Sequence, residues 1–81
     1  TAIADRATMQ RVPQGAFIGF FDGNRLVHAM IAVGYGCAAG NKNACIGVGA
    51  PVGWEILNLG DELDWGNIGS RGLTAHYRAM A

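Results

Sequence analysis

The sequence predicts a mainly β domain, an antiparallel meander of about five strands with at most a short N-terminal helix, or α+β if an upstream part is included. Three observations predict it. Apolar runs rich in Val, Ile and Phe lie at 16–21, 26–35 and 44–48. Polar and glycine knots separate them, Asp22-Gly23-Asn24 and Gly40-Asn41-Lys42-Asn43, whose residue types supply the positive φ angles of a reversal. Two later segments, 54–59 and 73–80, alternate their side chains between two faces with the strand period.

Taken in order, residues 1–11 hold Ile3, Ala7 and Met9 among polar residues, the pattern of a short helix. That helix stops before Val12-Pro13, because a residue preceding proline avoids the helical region. Pro13-Gln14-Gly15 is a turn signal. Ala16 to Phe21 reads as the first strand, and Asp22-Gly23-Asn24 hairpins it to the second, Leu26 to Tyr35. In the second strand Leu26, His28, Met30 and Ala32 alternate with Val27, Ala29, Ile31 and Val33, and both rows are almost wholly apolar. That suits a central strand covered on both faces. The Gly40–Asn43 knot then turns the chain into a third strand, Ala44 to Val48. Gly49 to Gly53 is a loop, Trp54 to Leu59 a fourth strand, Gly60 to Gly66 a helical turn or loop, and Asn67 to Gly72 a turn. Leu73 to Met80 reads as a half-exposed last strand.

With 81 residues the chain makes one small domain. Only 15% of its residues are charged, against about 25% in typical domains, so much of its surface carries no charge. The chain opens at Thr1, not Met, and we read it as a processed product or a piece of a larger domain. The bases are scattered and no basic stripe interleaves with aromatics, so nucleic acid is not an expected partner. No apolar run reaches the roughly 18 residues of a membrane span. The glycines at 34, 36 and 40, and at 47, 49 and 53, miss the dinucleotide spacing, and no amphipathic helix follows them. His28, His76 and the two cysteines lack the paired spacing of a metal site, so neither metal nor cofactor is expected. Cys37 and Cys45 flank the expected turn and either form a disulfide, which implies an oxidising compartment, or remain buried thiols.

His28 on a strand, with Asn43 or Asn41 near the entry of the next, is the pair with catalytic potential. A cysteine hydrolase needs an imidazole to take the thiol proton and a side-chain carbonyl to hold the ring. Trp54 and Trp65 are candidate walls of a substrate cleft, or core tryptophans. The acids Glu55, Asp61, Glu62 and Asp64 fall within ten residues and form either a solvated loop or a patch for a basic partner.

The runs Pro13-Gln-Gly-Ala-Phe-Ile-Gly-Phe-Phe and Leu26-Val-His-Ala-Met-Ile-Ala-Val-Gly-Tyr-Gly resemble the second half of papain-like cysteine hydrolases of the NlpC/P60 kind and related bacterial effector toxins. The likeness spans about residues 12–49 and consists of loosely specified apolar and glycine positions. It implies the sheet half of a papain-like fold, with His28 as general base and Asn43, or else Asn41, as its orienter. It further implies hydrolysis of an amide bond in a peptide, a cell-wall peptide or a glutamine side chain, by a secreted protein that an inhibitor or immunity protein could bind. One departure is plain: the nucleophilic cysteine of these enzymes precedes the histidine strand, and no cysteine precedes His28. The sulfur would come from an upstream segment or a second chain, or, in a permuted relative, from Cys37 or Cys45, of which Cys45 on the neighbouring strand is the better placed. The competing reading is a non-catalytic, secreted β-rich binding module, with or without a Cys37–Cys45 disulfide, in which His28 is a core residue.

Overall fold

A computed structural model describes residues 1–42, 53–60 and 62–80. Along the chain these form β1 (Ala2–Ile3), α1 (Arg6–Gln10), β2 (Phe17–Asp22), β3 (Arg25–Gly34), β4 (Cys37–Lys42), β5 (Gly53–Asn58), α2 (Glu62–Ser70) and β6 (Thr74–Arg78). The strands make one antiparallel sheet in the order β1-β6-β2-β3-β4-β5. The mainly β class predicted from the sequence is the class observed.

β2 to β5 follow one another as a meander. β6 does not extend it. The chain returns through α2 to the far side of the sheet, where β6 inserts between β1 and β2 and pairs with both. An interior position gives β6 two ladders in place of one. Residues 2–3, expected to lead only into the helix, supply the second ladder by pairing Ala2 with His76 and Ile3 with Ala75.

The Pro13–Ala16 turn closes with the Ala16 N–H donating to the Pro13 carbonyl at 3.1 Å, and Gly15 takes the positive φ that the third position of a type II turn demands. Asp22 and Arg25 pair across the β2–β3 hairpin, with Gly23 at φ 61° in its first central position. The next reversal differs from expectation. It falls at Tyr35-Gly36 rather than at the Gly40–Asn43 knot. Gly34 pairs with Cys37, and both central residues have positive φ, 56° at Tyr35 and 78° at Gly36, as a type I′ turn requires. Gly40, Asn41 and Lys42 are therefore strand residues of β4. The strand expected at 44–48 lies outside the described residues.

α1 is capped by Asp5, whose carboxylate accepts from the Thr8 N–H and the Thr8 hydroxyl, each at 2.8 Å. α2 replaces the expected turn region. Its Gly66, Asn67 and Gly69 are poor helix formers, but Trp65 and Ile68, three apart on one face, pack onto the core. It ends in a Schellman motif. The Leu73 N–H donates to the Ile68 carbonyl, the Gly72 N–H to the Gly69 carbonyl, and Gly72 has φ 70°.

The helices share one core with one face of the sheet. Ile18 and Phe20 of β2, Met30 and Ala32 of β3, Ala38 of β4 and Ala75 of β6 are buried together with Ile3, Met9, Leu59 and Ile68. The opposite face is open: Leu26 is 49% and Ile31 44% exposed, which corrects the expectation of cover on both sides. Apolar residues on that row had suggested burial, yet both helices pack on the other face.

Candidate functional site

His28 lies on β3, third from the β5 edge of the sheet and fourth from the β1 edge, and pairs with Phe20 of β2. A β-bulge sits beside it. Phe20 pairs with His28 but Phe21 pairs with Leu26, so Val27 is the extra residue. The bulge breaks the expected alternation. Leu26 leaves the His28 row for the open face, where it approaches Gly19, while Val27 packs against the core. His28 itself is half-buried on the helix-covered face, with Nε2 buried and its ring 6.0 Å from that of Phe20, tilted by 36°.

Ile31 pairs with Ala39 and Ala32 with Ala38. Continuing that register along β4 brings Lys42, the last described residue of the strand, level with His28. Asn41 pairs with Trp54 of β5 and shares the strand row of Ala39 and Ile31, one step off the row of Met30 and His28. Asn43 and Cys45 lie outside the described residues.

Cys37 is a free thiol, so the hairpin disulfide is not formed at this cysteine. It also stands far from His28. It pairs with Gly34, six residues further along β3, a separation of about 20 Å at the strand rise. A thiol must come within hydrogen-bond reach of the imidazole to be activated by it, so Cys37 is not the partner of His28.

The two tryptophans stand on different elements, Trp65 on α2 and Trp54 on β5. Trp65 packs half-buried against the core and lines a cavity of about 350 Å³ with Ile3, Ile68 and Leu73, beside β1 and β6. Trp54 belongs to β5, four strand spacings from β6, or about 19 Å.

A second constellation, missed in the sequence, lies on the open face. Phe17, Gly19 and Phe21 of β2 and His76 and Arg78 of β6 line a groove of about 510 Å³ with Met80. Gly19 is what lets its floor form. A Cβ there would stand 3.0 Å from the Phe21 ring and 3.4 Å from that of Phe17, so the rings converge over the bare backbone. The Phe21 ring meets His76 edge-on, centroids 5.3 Å apart. Its signal in the sequence is the period of two, Phe17-x-Gly19-x-Phe21 and His76-x-Arg78, which puts each set on one strand face.

Among the described residues no His, Cys, Asp and Glu side chains gather in a group able to hold a metal ion. No described helix is long and apolar enough to cross a membrane. The Asp22–Arg25 ion pair, 3.6 Å across the hairpin tip, is well exposed and contributes little. No protein-family model, curated protein or solved structure matches the chain.

Proposed function

We propose that this chain is the sheet-bearing part of a papain-like cysteine hydrolase, with His28 as its general base. The observation that carries the reading is the bulge at Val27. Bulges concentrate beside active sites, where the extra residue re-aims the next side chain, and here that side chain is an imidazole on an inner strand of the sheet. The likeness of residues 12–49 to the histidine-bearing half of such enzymes supports it.

In this reading Nε2 or Nδ1 of His28 takes the proton from a cysteine thiol. The thiolate adds to the amide carbonyl carbon, and the imidazolium returns the proton to the leaving nitrogen. Water then releases the acyl group with the ring again acting as base. Asn43, close in sequence to the Lys42 position level with His28, is assigned to hold the ring, with Asn41 as the alternative. With Cys37 about 20 Å from His28 along the strand, the reading takes its nucleophile from an upstream segment, a second chain or Cys45. The substrate class is a peptide or protein amide, and secretion as a toxin held by an inhibitor is the setting that accords with the resemblance.

The test is alkylation of the nucleophilic cysteine by iodoacetamide, followed against pH in the polypeptide that carries both the sulfur and this chain. A thiolate paired with His28 reacts well below the ordinary cysteine value of about 8.5, and His28→Ala moves the profile back toward that value. An unchanged profile in His28→Ala removes the assignment.

The open face favours a second reading, a β-rich binding module in which His28 only fills the core. It predicts that His28→Ala lowers stability and changes no chemistry.

A further inference from the structure

We propose that the groove between β2 and β6 is a binding site for a small molecule whose apolar or aromatic body carries one carboxylate. The groove lies on the open face, across the sheet from His28, and is independent of the hydrolase reading. Three features define what it takes.

The first is the apolar floor. Phe17 and Phe21 converge over Gly19, and Met80, 67% exposed, adds a flexible thioether at the rim. Flat rings and a thioether accept an aromatic or aliphatic body by stacking and dispersion, with little demand on its shape. The second is charge. His76 and Arg78 stand two apart on one strand face, and the lining residues include no Asp or Glu. The structure records no ion pair for Arg78 with a described residue, so its guanidinium is available for the paired hydrogen bonds that match a carboxylate. The third is size. About 510 Å³ lies within the range of small-molecule sites and exceeds what a bare anion fills.

The same features disfavour a second copy of the chain as occupant. Two such faces laid together would oppose their His76 and Arg78 rows without a described acid in the groove to meet them. An anionic amphiphile satisfies floor and rim at once, its body over Phe17 and Phe21 and its carboxylate at Arg78.

The experiment is an NMR titration of the chain with 3-phenylpropionate, compared with 3-phenylpropan-1-ol and with acetate. We expect saturable shifts confined to Phe17, Gly19, Phe21, His76, Arg78 and Met80. The alcohol and acetate should each bind at least about tenfold more weakly, and Arg78→Gln should weaken the acid by about the same factor. Arg78 is exposed, so an unchanged amide spectrum away from the groove verifies that Arg78→Gln is folded. Phe21→Leu, read the same way, should weaken acid and alcohol alike. Equal binding of acid and alcohol, indifference to Arg78→Gln, shifts centred elsewhere, or no saturation up to about 10 mM would each overturn the proposal.

Discussion

The side chain of Gln10 lies directly over Gly60, on the space a Cβ at residue 60 would take. The same carboxamide covers Gly36, where a Cβ would stand 3.0 Å from Nε2. Gly36 and Gly60 are joined by a hydrogen bond of 3.1 Å, and Arg6 Nε donates to the Gly60 carbonyl at 3.0 Å. One turn of α1 thus clamps the β3–β4 reversal to the exit of β5. Gly60→Ala should cost on the order of 1 kcal/mol by displacing Gln10, and Gln10→Ala should recover part of that loss. A double-mutant cycle by urea unfolding measures the coupling, and strict additivity would show that the two residues do not share the space.

Tyr35 holds a positive φ of 56° while 89% exposed, so its ring contributes little burial against that conformation. Asn tolerates the left-handed region, and Asn-Gly is the favoured pair for a type I′ turn. Tyr35→Asn should stabilise the domain by on the order of 1 kcal/mol, or about 4–8 °C in Tm for a domain of this size. Thermal unfolding checks it, and an unchanged or lower Tm would mean that Tyr35 makes a contact worth keeping.

The Thr8 backbone N–H, then the Thr8 hydroxyl, holds the Asp5 carboxyl below its ordinary value of 3.8. A folded value below the unfolded one means that the cap stabilises the protein above pH 3.8 and that its contribution disappears as pH falls through the lower, folded value. Asp5→Asn should therefore shrink the loss of stability on the acid side of pH 4 and change little at pH 7, since Asn also caps helices. Urea midpoints measured across that range decide it.

Phe20 is fully buried between β3 and β6, paired with His28 on one side and Ala75 on the other. Phe20→Ala should cost about 3–5 kcal/mol, a large part of the stability of a domain this small. Chemical denaturation measures the loss, and a cost under about 1 kcal/mol would show that the core collapses around the gap.

Much of this fold is legible in the residues. Gly23 and the Pro13–Gly15 turn bracket β2 as their chemistry predicts, and Val12-Pro13 stops α1. The β3–β4 reversal is harder to read because two glycine clusters compete. Gly34-Tyr35-Gly36 carries a bulky residue that disguises a turn, whereas Gly40–Asn43 offers better turn composition, yet its Gly40, Asn41 and Lys42 are held in β4 by pairing with Glu55, Trp54 and Gly53 of β5. α2 is hidden by two glycines and an asparagine, since burial of Ile68 and Trp65 outweighs propensity there. Its end was nonetheless written in Gly72-Leu73, the glycine and apolar residue of a Schellman cap. The candidate site divides in the same way. His28 stands out as an imidazole in an apolar strand, but the bulge beside it depends on how two strands meet and has no local signature. The groove over Gly19 needs β6 next to β2, a neighbourhood that no meander predicts.

The most direct measurement of the central claim is kcat/KM for amide hydrolysis by the polypeptide that joins the nucleophilic cysteine to this chain, wild type against His28→Gln, with urea midpoints recorded for both. A general base at His28 predicts a loss of about 10²–10⁴-fold with the fold retained. Activity that survives in His28→Gln, or that falls only in step with stability, would contradict it and leave His28 as a residue of the core.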